Sequence, residues 1–285
     1  MSKILREFNT VKDKLYFHHS LTPRLELPKV HGPESHNRFE LLYLISGHVD
    51  YVIEGERYSV SDGDCIFVAP NEIHKLFIEN TFDYERKVLV FDPSVLKSVL
   101  NDNYQQFTEF LYAKSNDFRV IPKAVIENSK IPQLLAEAES LEQSPERNSL
   151  FLVSKILLII LELDKILSNA SSSVTDCADP LIKQIVEFIN QNLTTPLTLE
   201  GISAQFFISK STLSHKFKAH MDRSVKNYIS IKKIHYASEL IKNGMSATDC
   251  AKLLGYEHYT TFFSSYKKII GKMPSTIKTK QSSKK

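Results

Sequence analysis

Two helix-turn-helix patterns lie in tandem in the last third of the 285-residue chain, and one long helical segment joins them. In the second pattern, Ser246 and Asp249 are spaced as a capping box, and apolar residues repeat at helical spacing up to Gly255, which suits the turn. A further helix is predicted over His258–Ile270, ended by Gly271. Two such units in one chain predict sequence-specific binding to double-stranded DNA.

The charge distribution supports this prediction. Residues 180–285 contain 17 Lys/Arg and 6 Asp/Glu, a net charge of +11, whereas residues 1–179 contain 19 and 27, a net charge of −8. A polyanion such as DNA attracts the basic residues 180–285 and repels the acidic residues 1–179. The alternative is a basic surface that only faces solvent, but the tandem motifs favour DNA binding.

Periodicity predicts six helices after residue 180, and the fourth is the connector between the two motifs. At 1.5 Å per residue, its ~19 residues span roughly 28 Å, close to the ~34 Å of one turn of B-DNA. Two recognition helices can therefore reach successive major-groove segments on one face of DNA. The predicted helices are Leu181–Asn192, Thr198–Phe206, Ser209–His220, Ser224–Lys242, Ser246–Leu254 and His258–Ile270.

Composition bounds the class of protein. With 42% hydrophobic and 24% charged residues, the chain is of ordinary globular type and long enough for two domains. Cys65, Cys177 and Cys250 form neither a disulfide framework nor a zinc spacing, which is typical of a reducing cytosol. The N-terminus has no signal-peptide pattern, and charges such as Lys155 interrupt the most apolar stretch, Leu150–Leu167. We therefore expect a cytoplasmic protein without a membrane span.

The first 92 residues favour β-structure. Short apolar or alternating runs are separated by turn residues at close intervals, which is typical of a small antiparallel barrel. The predicted strands are 41–45, 51–53, 58–60, 66–68 and 87–91.

Helical periodicity replaces this pattern from Pro93 onward. Helices are predicted over Pro93–Tyr112, Ile131–Gln143 and Arg147–Ser168. The third is apolar on most faces, so either the barrel buries all of it or a second copy of the chain covers one stripe. We favour the second option, with Ile156 and Ile160 in a dimer interface. A small, polar segment over 169–180 follows as a predicted linker.

The C-terminal motifs resemble those of the AraC/XylS family of bacterial transcription regulators, over nearly all of residues 180–277. The most specific feature is the order of glycine, aromatic, Lys-Lys, glycine and proline after Leu253. Tyr228, Ile229 and Ala237 match the family pattern as well. The matching stretches are Leu197-Thr-Leu-Glu-Gly-Ile-Ser203, Ser209-Lys-Ser-Thr-Leu-Ser-His-Lys-Phe-Lys218, Asp249-Cys-Ala-Lys-Leu-Leu-Gly-Tyr256 and Phe262-Phe-Ser-Ser-Tyr-Lys-Lys-Ile-Ile-Gly-Lys-Met-Pro274.

The resemblance implies DNA contacts from the exposed faces of two recognition helices. Hydroxyl, imidazole and aromatic groups there suit base edges and thymine methyls, whereas Lys218, Lys267 and Lys268 suit phosphates. The opposite stripe, Leu213, Phe217, Phe262 and Tyr266, is expected to be core. The candidate contacts are Lys210, Ser211, Ser214, His215, Lys218, Tyr259, Thr260, Thr261, Phe263, Ser264, Lys267 and Lys268.

The chain departs from the family pattern at several positions. Many relatives have Arg where this chain has His215 and Ser264, which favours an A/T-rich site over a G-rich one. The first unit is the less regular: Phe207 lies in its turn, Asp222 replaces a usual glycine, and Ser203 replaces a usual alanine. The second unit is therefore expected to contribute more to specificity.

The N-terminal region resembles the cupin-like effector domain of the same family over residues 15–91. The motif residues are His36-x3-Glu40-x6-Gly47, then Gly63-Asp64 and Pro70-x3-His74. In metal-binding cupins, two histidines, a glutamate and a later histidine hold the ion. Here Glu34 stands where the first histidine would be.

Three interpretations of this region compete. His36, Arg38 and Glu40 share one face at a period of two and, with His74, could line a small-molecule pocket for a carboxylate or a sugar. They could instead hold a first-row metal with Glu34 as fourth ligand, or form an internal polar network. We favour the small-molecule pocket, with neither metal nor cofactor. The other histidines, including His18, His19 and His48, are expected to be structural or exposed.

The predicted fold class is α+β. A cupin-like antiparallel β-barrel (1–92) precedes a helical dimerisation segment (93–168), a linker (169–180), an all-α tandem helix-turn-helix domain (181–277) and a basic tail (278–285). The predicted function is a homodimeric transcription regulator modulated by a small molecule, with RNA polymerase as a partner that the family implies. The alternatives are a metal-dependent cupin enzyme fused to a DNA-binding domain, which the missing histidine disfavours, and a structural nucleoid protein.

Overall fold

The structure is a computed structural model that divides the chain into two compact units, residues 1–176 and 177–285. Most of the predicted linker (170–178) and the whole predicted tail (278–285) lie outside the described residues. The described residues are 3–10, 14–24, 30–78, 83–117, 119–140, 145–169 and 179–274.

In the described residues of the first unit, ten antiparallel strands form two sheets. The six-stranded sheet has the order β1-β2-β9-β4-β7-β10, and the four-stranded sheet has the order β3-β8-β5-β6. The strands are β1 (Lys3–Thr10), β2 (Leu15–Thr22), β3 (Val30–Glu34), β4 (Phe39–Ser46), β5 (His48–Ile53), β6 (Glu56–Ser61), β7 (Cys65–Val68), β8 (His74–Ile78), β9 (Tyr84–Phe91) and β10 (Val120–Ile121).

Strand alternation divides the first unit into layers. On β4, Leu42 and Leu44 pack with residues of the four-stranded sheet, such as Tyr51 and Val60, in the core between the sheets. Phe39 and Leu41 point the other way, into a core shared with the helices. Because alternate side chains of β4 point to opposite faces of the sheet, this strand contributes to both cores.

The five strands predicted from apolar runs are present as β4, β5, β6, β7 and β9. Four longer strands, β1, β2, β3 and β8, were missed, as was the two-residue β10. The antiparallel sheets agree with the predicted α+β class, and the missed strands complete them.

The helical segment that follows differs from the prediction in two places. The helix predicted over Ile131–Gln143 ends at Glu139 rather than at Gln143. Pro93–Tyr112 is not a single helix: a 3-10 turn (Pro93–Leu96), α1 (Lys97–Leu100), a second 3-10 turn (Asn101–Asn103) and α2 (Tyr104–Asp117) replace it. The chain breaks at Asn101, whose φ of 45° lies outside the helical region. The remaining helices of this unit are α3 (Lys123–Ile126), α4 (Ile131–Glu139) and α5 (Pro145–Asn169).

Helix α5 contributes five buried residues to the core that the six-stranded sheet shares with the helices. Leu152, Ile156, Ile159, Ile160 and Leu163 are all at most 4% exposed and pack with strand and α4 residues. The expectation that Ile156 and Ile160 lie in a dimer interface is therefore wrong, because the chain's own sheet and helices bury both. Among the helices of the described residues, none is both long and apolar enough to cross a membrane.

The second unit contains all six predicted helices. They are α6 (Pro180–Gln191), α7 (Leu199–Gln205), α8 (Lys210–Met221), α9 (Val225–Lys242), α10 (Ala247–Leu253) and α11 (Tyr259–Ile270). Their ends match the predictions within one residue. The side chains of Thr198, Ser209, Ser224 and Ser246 cap four of them at the N-terminus, as expected of hydroxyl residues at this position.

Candidate functional site

Helix α9 carries both helix-turn-helix units. Near its start, Tyr228 packs edge-on against Phe217 of α8, with ring centroids 5.4 Å apart. Further along, Ile234 and Ala237 share a core cluster with α10 and α11. With 18 residues, the helix is about 27 Å long, close to the length predicted for a connector between the two units.

The first recognition helix, α8, separates a core face from an exposed face. Leu213 and Phe217 are fully buried, as expected. The five candidate contacts on this helix, Lys210, Ser211, Ser214, His215 and Lys218, are all exposed. The ammonium of Lys210 donates to Glu200 of α7 at 2.9 Å, so the ion pair holds Lys210 near the turn.

The second recognition helix, α11, has the same division. Phe262 and Tyr266 are fully buried, whereas Phe263 is half-buried and lies against Tyr259, with ring centroids 6.1 Å apart. This contact braces Tyr259 at the start of the helix, where recognition helices meet base edges. The remaining candidates are exposed: Thr260, Thr261, Ser264, Lys267 and Lys268.

In the second unit, Ser246 caps α10 as the predicted capping box requires, but Asp249 accepts from the hydroxyl of Ser246 rather than from its backbone N–H. The backbone N–H of Asp249 donates to Oγ of Ser246 at 3.1 Å, and that hydroxyl donates to the Asp249 carboxylate at 2.6 Å. At the other end of α10, Nζ of Lys233 donates to the backbone carbonyl of Leu254 at 2.7 Å. Both ends of α10 are therefore fixed by side-chain hydrogen bonds.

A cavity of about 430 Å³ lies between the two sheets of the first unit. All four predicted pocket residues, His36, Arg38, Glu40 and His74, line it together. Glu34 also lines it but is exposed. The volume falls in the range of small-molecule sites, roughly 300–1,000 Å³.

His36, Glu40 and His74 form a tight cluster in this cavity. Their nearest nitrogen and oxygen atoms all lie within 4.8 Å of one another, and Nε2 of His36 is 3.2 Å from a carboxylate oxygen of Glu40. Burial raises the pKa of Glu40, but the facing histidines outweigh it, so the pKa lies below its ordinary value. Glu40 therefore favours its carboxylate form in the cavity between the two sheets.

The cavity also contains polar residues that the sequence did not reveal. His18, expected to be structural or exposed, lines it together with Tyr16, Tyr51, Tyr84 and Arg86. Burial, reinforced by Arg86, lowers the pKa of His18 to about 4, so its ring is neutral near pH 7. The alternation of Tyr16 and His18 with Leu15 and Phe17 in β2 was the available indication.

Helix α5 exposes three leucines on one side, where Ser154 and Lys165 are exposed as well. Leu150, Leu158 and Leu161 are 75%, 44% and 63% exposed, and their spacing of eight and three residues puts them on one side of the helix. We call these three residues the α5 stripe. It lies opposite Ile156 and Ile160, so the helix has both an inner and an outer apolar face.

Family models match most of the chain. A model described as an AraC-like ligand binding domain matches residues 27–160, and one described as a helix-turn-helix domain matches residues 202–280. The first covers all the strands that line the cavity except β2, and the second covers nearly all of both helix-turn-helix units.

The chain is also similar to transcriptional activators that align with most of its length. The chain is 21% identical to a XylDLEGF operon transcriptional activator of Pseudomonas putida, over 87% of this chain and 76% of that protein. It is 24% identical to the HTH-type transcriptional activator RhaS of Enterobacter sp., over 86% and 87%. Among solved structures, ToxT of Vibrio cholerae is 14% identical over 97% of this chain and 96% of its own, with a TM-score of 0.37.

Proposed function

The chain belongs to the AraC/XylS family of DNA-binding transcription regulators, and we propose that its cavity binds a small polar effector that controls DNA binding. The observation that carries this proposal is the convergence of His36, Arg38, Glu40 and His74 on one cavity. The family membership makes this protein a regulator; the effector site and its control over DNA are the proposed part.

The cavity chemistry favours an effector that bears carboxylate or hydroxyl groups. Arg38 and Arg86 supply fixed positive charge, and Glu40 supplies an acceptor. Burial raises the pKa of Tyr84 to about 12, so its hydroxyl is a neutral group. Such a mixture of donors, acceptors and aromatic faces suits a hydroxy acid or a sugar better than a purely apolar molecule.

We propose that the DNA contacts are the exposed residues of α8 and α11 named above. Thr260, Thr261 and Ser264 would meet base edges, and Lys218, Lys267 and Lys268 would meet phosphates. The proposed site of action is the cytoplasm, which holds bacterial DNA. Because the relatives compared above are transcriptional activators, activation through RNA polymerase is the proposed output.

A homodimer is the proposed assembly, with the α5 stripe as its contact surface. The stripe exposes three leucines on one helix face, and a symmetric pairing of two such helices would cover both. A dimer would also place two DNA-binding units on one operator, which raises affinity through multivalency.

The proposed function has a direct test. The full chain would be used to select binding sites from randomised double-stranded DNA, and the affinity for a selected site would be compared with that for a scrambled one over a series of salt concentrations. We expect a clear preference, with a slope of log affinity against log salt of about −0.9 per phosphate contact. Equal affinity for both DNAs would contradict specific regulation and favour the nucleoid alternative.

The effector is tested separately. A panel of hydroxy acids and sugars would be screened for those that raise the melting temperature of the wild-type chain, and each hit would be repeated with Arg38→Met. A true effector should lose its effect in the variant and should change the affinity for the selected DNA site. A hit that stabilises both proteins equally binds elsewhere, and a panel without any hit that depends on Arg38 would contradict the proposed effector class.

A further inference from the structure

An ion pair joins the two helices of the first helix-turn-helix unit on their exposed side. Glu200 lies in the first turn of α7, and Lys210 is the first residue of α8. Nζ of Lys210 is 2.9 Å from a carboxylate oxygen of Glu200, and the two side chains are 56% and 67% exposed. An ion pair that is so exposed adds little to stability. Its importance therefore lies in what it presents to a partner.

Glu200 differs in charge from the surface around it. It is the only acidic residue between Thr198 and Met221, and it lies beside residues that we propose to contact DNA. The hydrogen bond from Lys210, followed by one from a backbone N–H, lowers the pKa of Glu200, so the side chain is a carboxylate near pH 7. A carboxylate beside DNA repels the phosphates, so Glu200 reduces affinity unless it meets a hydrogen-bond donor on the DNA.

The ion pair restricts what Lys210 can contact. A lysine that moves freely in solvent suits phosphates, which carry no sequence information. To reach a phosphate, Lys210 has to leave Glu200, and the carboxylate is then unpaired beside a polyanion. The first residues of a recognition helix instead meet base edges in the major groove. The intact pair fits such an edge, because Lys210 has two further N–H donors and Glu200 has unused lone pairs.

The second unit has uncharged residues at the corresponding positions. Thr248 is the second residue of α10, as Glu200 is of α7, and Tyr259 is the first residue of α11, as Lys210 is of α8. Both Thr248 and Tyr259 are exposed. The two units therefore present different chemical groups at the same place, and a charged donor and acceptor pair is a property of the first.

We propose that Glu200 and Lys210 together read one G·C base pair in the major groove. Glu200 accepts from N4 of cytosine, whose edge offers a donor without the neighbouring N7 acceptor that adenine has, and Lys210 donates to O6 or N7 of the paired guanine. This inference rests on the proposed DNA contacts of α8 and adds a residue of α7 to them. It sets one G·C pair in a site that is otherwise expected to be A/T-rich.

The test begins with selection of binding sites from randomised double-stranded DNA, using the full chain and its Glu200→Ala and Lys210→Ala variants. The wild-type sites should contain one G·C pair for which both variants lose the preference. Replacing this pair by A·T should lower the affinity of the wild-type chain by about 5- to 100-fold. The same replacement should have little effect on the affinity of Glu200→Ala.

Salt dependence separates base reading from phosphate contact. Loss of Glu200 frees Lys210 for a phosphate, so the slope of log affinity against log salt should become steeper by about 0.9, and affinity for scrambled DNA should rise. Lys210→Ala should leave the wild-type slope unchanged. The control is Glu187→Ala, which removes an exposed carboxylate of α6, outside both helix-turn-helix units. It should change neither the selected sequence nor the slope.

Two outcomes would overturn the inference. If Glu200→Ala selects the same sites as the wild-type chain, the pair reads no base. If Lys210→Ala flattens the slope by about 0.9, Lys210 binds a phosphate in the wild-type chain. Circular dichroism would verify that each variant folds. In both outcomes the wild-type chain still prefers selected over scrambled DNA, whereas failure of the proposed regulatory function is equal wild-type affinity for both.

Discussion

Phe207 and Gly255 occupy equivalent turn positions in the two helix-turn-helix units, and both adopt a left-handed backbone, with φ values of 54° and 73°. The C-terminal ends of the two recognition helices differ in the same way: Asp222 (φ 56°) follows α8, and Gly271 (φ 75°) follows α11. Glycine adopts this conformation without strain, whereas a side chain costs about 1–2 kcal/mol. The second unit has glycine at both positions, and the first has it at neither.

Phe207→Gly is expected to stabilise the second compact unit by about 1 kcal/mol. The phenyl ring is 95% exposed, so its removal costs little packing, and the left-handed strain disappears. The measurement is urea unfolding of residues 177–285. Phe207→Ala is the control, since it removes the ring but keeps the strain; if it stabilised as much as glycine, exposure of the ring would be the cause instead.

Lys233→Met is expected to destabilise the same unit by about 1–3 kcal/mol. The Lys233 side chain is buried, and its ammonium donates to the carbonyl of Leu254 at the end of α10. Methionine fills similar space but leaves that carbonyl without this donor. Lys226→Met, at an exposed position of the same helix, should change stability by less than about 0.5 kcal/mol. Equal effects of the two substitutions would show that the buried bond contributes nothing.

Asp179 links the start of α6 to α8 and should make stability depend on pH. A hydrogen bond from Lys216, at 3.0 Å, lowers the pKa of Asp179 most; partial burial opposes this, and the backbone N–H of Leu181 adds to it. Because the folded-state pKa lies below the unfolded value of about 3.9, the stabilisation is fully present above that pH. It is lost as the pH falls through the folded pKa.

Asp179→Asn should therefore lower the stability of residues 177–285 at pH 7, and the difference from wild type should shrink as the pH falls below about 4. Lys216→Met removes the same ion pair and keeps the cap, so the two substitutions should not be additive. Urea midpoints from pH 3 to pH 7 would provide the comparison. A difference that stays constant across this range would exclude the carboxylate charge as its source.

The parts of the fold that the sequence predicted are those whose determinants are local. Caps such as Ser246 and turn glycines such as Gly255 lie within a few residues of the helices they end, so the helices of the second unit could be predicted closely. Strands β2 and β8 carry His18 and His74 on their cavity side, which interrupts the apolar pattern that identifies a strand. The polar residues that line the cavity therefore kept β2 and β8 from being predicted as strands.

Long-range packing limited the prediction for α5. Its sequence is apolar on most faces, and only the folded chain decides which leucines and isoleucines the sheet covers. Ile156 faces the core and Leu158 faces solvent, although they are two residues apart. Asn101 illustrates a second limit, because no glycine or proline marks the break between α1 and α2.

A double substitution in the α5 stripe, Leu158→Glu with Leu161→Glu, is expected to convert the proposed dimer to a monomer without unfolding the chain. Both side chains are largely exposed in one copy, so charges there cost little until a second copy approaches. Ile156→Glu is the contrasting variant: it buries a charge in the chain's own core and should unfold the first unit. Sedimentation and circular dichroism would be measured together. A wild-type chain that sediments as a monomer at micromolar concentration would contradict the dimer.

Loss of hydroxyl groups and loss of ammonium groups on the recognition helices should affect DNA binding in different ways. Thr260→Ala or Ser264→Ala removes a group that we assign to base edges, so the selected DNA sequence should change at particular positions, with a loss of about 1–3 kcal/mol for the original base. Lys267→Ala should weaken binding to all sequences about equally and reduce the salt slope by roughly 0.9. Lys218→Ala provides the matched phosphate variant in the first unit. If Lys267→Ala changed the base preference and Thr260→Ala did not, the division between base-reading and phosphate-binding positions on α11 would be wrong.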